Sequence, residues 1–264
     1  MSVRAEWTKL RTEPGQLWSA VATGVILVAA AVIWATGAVA QQCPDEAPGC
    51  VTEIVDIVRL SLSGVQFAQF AVIVLAVLVT TDEYATGLIH STLLATPRRR
   101  AVLASKAMVV TAAALSGGAW GVLVSLPVAR VVLAGNGFTT ANGYPPISLA
   151  DGPTMRAAGG SILYLGLIAL LSIGVGLAVR HTLAALTVVT CLLYALPLVG
   201  VALGNVHIQR FIAKYAPLPA GLSIQATQRL DQLVIGGWPG LGVVAAWASV
   251  ALLVGAVMFA VRDA

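Results

Sequence analysis

Residues 83–106 read EYATGLIHSTLLATPRRRAVLASK. They open on an acid, Glu83, and run on in helix-compatible residues. They break at Pro97 and close on Arg98, Arg99, Arg100 and Lys106. No other long charged stretch lies between two strongly apolar ones. Its residue types suit docking rather than bond-making chemistry. Residues 84–95 can continue as a helix with Leu88, Leu93 and Leu94 on an apolar side, and such a helix can press into a groove of a partner. Asp82 and Glu83 place negative charge at the start of that helix, where its dipole favours it. The plainer alternative is a basic loop whose arginines anchor in lipid headgroups.

Side chains for covalent chemistry are present but not arranged for it. The chain has no H-E-x-x-H, no C-x-x-C and no G-x-S-x-G. It also lacks G-x-x-x-x-G-K-[ST], so it cannot cradle ATP phosphates in the P-loop way. No metal-ligand cluster or cofactor motif stands out. His90 and His181 are expected at the inner membrane surface and His207 near the outer one, as interfacial residues rather than a relay. Work across a membrane would draw its energy from another polypeptide.

The elements that hold this segment are apolar. Hydrophobic residues make up 58% of the chain and charged ones 10%, with a mean hydropathy of +0.91. A soluble domain of this length would carry far more surface charge. Runs of about 20 apolar residues, enough to cross a bilayer, recur at 17–40, 60–80, 107–129, 157–179, 182–206 and 234–261. None contains Asp, Glu, Lys or Arg. Lipid admits only helices or closed barrels, and these runs do not alternate as barrel strands do. The expected fold is all-α: one polytopic domain over 1–264, with six spans in 17–264 and an interfacial helix at 1–16.

Lys and Arg set the orientation. With the N-terminus inside, the inner segments hold nine basic and five acidic residues, and the longer outer segments hold six of each. Both termini are therefore expected in the cytoplasm of a cell bounded by this membrane. The basic balance reflects orientation, not nucleic-acid binding. Ionisable residues are missing from the spans, which argues against an ion-coupled carrier.

Several local features follow. Val3, Trp7 and Leu10 share a helical face beside Arg4, Lys9 and Arg11, which reads as a helix on the inner surface, with a frayed basic tail as the alternative. Pro14-Gly15 would break it. Arg4, Lys9 and Arg11, an apolar run and then GAVA also resemble a secretory signal, but the run is long for one and an uncleaved first helix is the preferred reading. Cys43 and Cys50 sit in the short first outer loop, as a disulfide in an oxidising compartment or as two free thiols. Cys191 reads as a packing residue. Arg180-His181 leaves room only for a tight hairpin. Ile208, Phe211, Ile212 and Tyr215 keep helical spacing in 207–233, interrupted by Pro217 and Pro219, so that segment reads as short helices lying on or dipping into the outer face. Ser116, Gly117, Gly118 and Gly121, with Gly159, Gly160, Gly174 and Gly176, mark faces for close helix contact.

Segment 83–106 resembles the coupling region of ABC-2-type transporter permeases. The resemblance rests on an acid at the end of the second span (Glu83), Gly87, Leu93-Leu94, Thr96-Pro97, the arginines 98–100, and Lys106 entering the third span. Gly176, Arg180 and Ala184 in the hairpin, and YAPLPAG at 215–221, are similar to that family too. The resemblance implies the permease half of a type V exporter in the plasma membrane. Two permeases, identical or related, would pair with two cytoplasmic ATPase subunits that bind ATP and Mg. Glu83, Tyr84, Gly87, Leu88, His90, Leu94, Pro97 and Arg99 would couple to the ATPase. Trp7, Lys9 and Leu10 would belong to the interfacial elbow, and the short helices of 207–233 to an outer gate. The chain carries no fused ATPase and no large outer domain, so a separately encoded ATPase is implied. An uncharged cavity suits hydrophobic or amphipathic cargo. A non-transporting structural membrane protein is the other reading, with an ion-coupled carrier behind it.

Overall fold

The computed structural model describes residues 14–38, 55–85, 99–142, 144 and 147–262. Among them every regular element is helical. Helix α1 is Pro14–Gly37, α2 is Ile57–Ser61, α3 is Val65–Ala85 and α4 is Arg99–Gly135. Helix α5 is Gly152–Val179 and α6 is Thr182–Thr190. A π segment, Cys191–Ala195, joins α6 to α7, Leu196–Ala202. Helices α8, α9 and α10 are Val206–Tyr215, Pro217–Leu222 and Gly237–Arg262.

Six helical stretches are long and apolar enough to cross a membrane. They are Ala20–Gly37, Ile57–Thr81, Ala104–Gly135, Gly152–Val179, Thr182–Ala202 and Gly237–Met258, here spans one to six. The architecture is that of a multi-pass membrane protein. Successive spans alternate in direction. One end of the bundle, the Glu83 end, carries the end of α3, the start of α4 and the Arg180-His181 turn. The other, the Asp56 end, carries the start of α2 and the 203–236 segment.

Span four is central. In its most apolar 18-residue stretch 61% of residues are buried, against 22% in the corresponding stretches of spans five and six. It packs most extensively on α10, then on α3 and α4, while α1 lies on α4 and α3. Tyr164, Leu165, Ile168, Leu171 and Ile173 of α5 are fully buried, as are Ile73 of α3, Leu126 of α4 and, in the layer beyond, Leu27 of α1. The contacts rest on small residues, as expected where lipid offers no hydrophobic drive for helix pairing. A Cβ at Gly174 would run into the backbone of Ala251 and Leu252, and one at Gly255 would stand 2.5 Å from the Gly174 carbonyl oxygen. In span three Gly117 faces the backbone of Ala20, Gly121 meets Gly24, and Gly118 faces Leu165. Gly160 packs on Ile224 and Gly176 on Thr80. Gly159 departs from expectation: nothing lies within 4 Å of its Cβ position.

Prolines account for most differences between expected and observed boundaries. Pro14 is the first described residue of α1, so residues 14–16 are continuous with the helix of the first span, and the expected helix of 1–16 otherwise lies outside the described residues. A first-turn proline loses no intrahelical bond. Pro217 opens α9, and Pro153 sits in the first turn of α5, which starts at Gly152 rather than 157. Pro127 lies inside α4, yet the helix continues to Gly135, beyond the expected end at 129. Pro197 follows the π segment, where the Leu196 N–H bonds to the Cys191 carbonyl. A proline cannot donate and crowds the carbonyl four residues back, and the preceding turn widens. Cys191, expected to pack, is exposed at the start of this wider turn.

The hairpin between spans four and five is as tight as its two-residue link requires. Arg180 takes a left-handed conformation (φ 61) as the C-cap of α5, and His181 caps α6, its Nδ1 accepting from Ala184 N at 3.4 Å. The 206–232 segment divides in two. Helix α8 buries none of its residues, whereas α9 buries Pro217, Leu218, Ala220 and Gly221. The segment therefore dips into the bundle after Tyr215, whose carbonyl accepts from Trp247 Nε1 at 2.9 Å. The elbow residues Trp7, Lys9 and Leu10, and the cysteines Cys43 and Cys50, lie outside the described residues.

The glycine contacts make a paired prediction. Gly174→Val should force α5 and α10 apart and cost at least about 1–3 kcal/mol, the range for overpacking a filled site. Thermal unfolding of the purified chain in detergent should fall by several degrees. Gly159→Ala, facing open space, should leave the midpoint unchanged or slightly raised.

Candidate functional site

The backbone of α3 continues through Ala85, which places Glu83 and Tyr84 in its last turn. The described part of that helix begins at Val65, well before Glu83, and the expected docking helix of 84–95 lies, beyond Ala85, outside the described residues. Arg99 is the first residue of α4. Gly87, Leu88, His90, Leu94 and Pro97 lie outside the described residues. What the structure does define is the frame that holds both ends of 86–98.

That frame is cross-tied. Lys106, in the third turn of α4, is 6% exposed, and its Nζ donates to the Val79 carbonyl of α3 at 3.3 Å. Few ammonium groups are buried this far without partners. Thr81 and Thr182 share a hydroxyl hydrogen bond of 2.8 Å, joining α3 to the head of α6. Gly176 of α5 admits the Thr80 side chain, for which a Cβ there would leave no room. The Arg180 guanidinium donates to the Met258 carbonyl of α10 at 3.2 Å. Spans two to six are thus fastened together around the Glu83 end. In the sequence, Lys106 marked the close of the docking segment and the entry to the third span, with no sign of its partner. The threonine pair carried no signal, because its partners are 101 residues apart.

A polar chain crosses the bundle interior. Tyr164 OH donates to Gln69 Oε1 at 2.6 Å, and Gln69 Nε2 donates to Tyr194 OH at 2.5 Å. Tyr194 OH donates in turn to the Gln66 carbonyl. The Tyr194 ring stacks on Phe70 at 4.7 Å. Tyr194 belongs to the π segment, a geometry often found at functional positions. Two glutamines in an otherwise apolar run were the available signal, and they were not read.

At the opposite end, Asp56 ties span two to the loop after α9. Its Oδ1 accepts from Arg59 N (3.0 Å) and Thr227 Oγ1 (2.8 Å). Its Oδ2 accepts from Thr227 N (2.5 Å) and Gln228 N (3.1 Å). Gln225 reinforces the tie, with Nε2 donating to the Leu62 carbonyl and to Ser161 Oγ. Arg156 adds a bond of 2.6 Å to the Ala226 carbonyl. These contacts seat the dipping segment against spans two and four. Among the described residues no three His, Cys, Asp or Glu side chains group as a metal site would require. Comparison with family models, with characterised proteins and with solved structures gives no match.

Two measurements check these ties. Thr81→Cys with Thr182→Cys, in a background where Cys43, Cys50 and Cys191 are serine, should cross-link under mild oxidation, whereas Thr81→Cys with Val188→Cys should not. Asp56→Ala removes an acceptor shared by four donors, each bond to a charged group contributing about 1.5–3 kcal/mol. Amide exchange at Thr227 and Gln228 should then accelerate at least tenfold, with exchange in the core of α5 unchanged.

Proposed function

We propose that this chain is the membrane-spanning permease subunit of an ABC exporter. It would move a hydrophobic or amphipathic substrate out of the cell with ATP hydrolysed by a separate cytoplasmic subunit. The observation that carries the proposal is the frame around 86–98. The segment departs from the end of α3 at Glu83 and Tyr84 and returns at Arg99, and the two helices it joins are tied by Lys106. A push delivered to that segment from the cytoplasm would reach spans two and three together, and span five through Thr81 and Thr182.

Other features agree with the role. Spans five and six bury few of their residues in the bundle, which suits contact with a second permease copy as well as with lipid. Leu183, Val188, Leu198 and Val201 are among the exposed residues of span five. The dipping segment 217–226 plugs the Asp56 end, where an outer gate would stand. In this reading both termini and 86–98 face the cytoplasm, the elbow of 1–13 lies on the inner leaflet, and the membrane is the plasma membrane. Substrate would meet the apolar faces of the spans.

The first test is co-purification. Tagged chain extracted in mild detergent should bring down a P-loop ATPase at near-equal stoichiometry, identified by mass spectrometry. Recovery of the chain alone, under conditions that preserve known ABC complexes, would move the non-transporting reading ahead. The second test uses that complex in liposomes. Glu83→Ala with Gly87→Pro should uncouple ATP hydrolysis from export. Wild-type coupling in this variant would count heavily against a coupling role for 83–95.

A further inference from the structure

At the Asp56 end a cavity of about 810 Å³ opens between the head of span two and the turns that follow α9. Asp56 lines it, but both carboxylate oxygens are already taken by four donors. Arg59 and Arg229 line it as well, and both residues are exposed. Among the described residues neither guanidinium has a hydrogen-bond or ion-pair partner. Ser63 Oγ, on the same wall, is buried and makes no hydrogen bond. The cavity thus gathers two exposed, fork-shaped cations around a carboxylate that is already satisfied. Guanidinium groups match phosphate oxygens in geometry and charge.

The rest of the wall is mixed: Gln66, Gln228 and Gln232 alternate with Trp34, Leu60 and other apolar residues. Trp34, 51% exposed, stands one turn from the end of α1, and Leu60 lies beside Arg59. Trp34 lies in the last turn of span one and Arg59 in the first turn of span two, so the cavity lies at the boundary between hydrocarbon and headgroups. Indole rings favour that level. A soluble phosphate would engage only the arginines, whereas an amphiphile would also use Trp34 and Leu60. Arg229 is held in a left-handed conformation (φ 49), which non-glycine residues adopt infrequently and which recurs at ligand clamps.

We propose that this cavity binds the headgroup of an anionic phospholipid, with its phosphate on Arg59 and Arg229 and the start of its chains along Trp34. The site stands at the far end of the bundle from 86–98 and needs no ATPase, so it can hold or fail independently of the transport role.

The test is lipid binding by the full chain, measured by native mass spectrometry after exchange between phosphatidylglycerol and phosphatidylcholine. Wild type should prefer phosphatidylglycerol about tenfold or more, the factor expected from charge-assisted bonds. Arg59→Gln with Arg229→Gln should abolish the preference. The corresponding double lysine variant should keep part of it. Arg130→Gln, at the same end but outside the cavity, should keep it whole. If the double glutamine variant yields no folded protein, Arg229→Gln alone should show a partial loss. Full preference in the glutamine variants would overturn the proposal. So would displacement of the lipid by an equal concentration of glycerol 1-phosphate, which would make the ligand a soluble phosphate.

Discussion

Spans four and six meet backbone to backbone, and most of the bundle is arranged around that contact. In lipid, apolar side chains gain nothing by leaving their surroundings, so helices associate through close van der Waals approach. Gly174 and Gly255 provide it where α5 crosses α10, with no side chain of either glycine between the two backbones. The same device recurs at Gly117 and Gly121 against α1 and at Gly240 against the Ala220 carbonyl. Because α5 can be approached this closely from several sides, it becomes the helix that the others surround.

Polar side chains then decide what happens where the helices are interrupted. A backbone that leaves regular helix inside a membrane needs partners for its freed groups. The turn between α2 and α3 is served by Gln225, which donates to the Leu62 carbonyl. The loop after α9 is served by Asp56, which accepts two of its backbone N–H groups. Tyr194 and Gln69 join the wide turn of span five to spans two and four. These residues stabilise irregular backbone, so they sit where the bundle departs from a set of straight rods.

The six spans were legible because length and hydropathy alone identify a membrane helix, and the glycine face of span three was legible for the same local reason. The tight hairpin at Arg180 followed from link length. Features set by distant partners were not legible. Asp56 looked like one more acid of an outer loop, since its partners lie 171 and 172 residues away. The break expected at Pro217 is present, between α8 and α9, but that the same proline opens a buried turn was not legible, because only its distant neighbours bury it. Gly159 and Gly160 are adjacent in sequence, yet a helix turns them to different neighbours, and only Gly160 meets one. Of the residues expected to couple, the structure describes the backbone of Glu83, Tyr84 and Arg99; the apolar core of that segment lies outside the described residues.

Helix α4 is longer than a membrane is thick. Its 37 residues extend about 55 Å at 1.5 Å per residue, against a hydrocarbon core of about 30 Å. Lys106 fastens it near one end, leaving about 10 Å of rod on the Arg99 side and about 43 Å on the other. The long arm finishes beside Asn136, whose side chain donates to the Ala35 carbonyl of α1 at 2.7 Å. One unbroken rod thus carries a tie to span two near one surface and a tie to span one near the other, so the two surfaces share a single rigid strut.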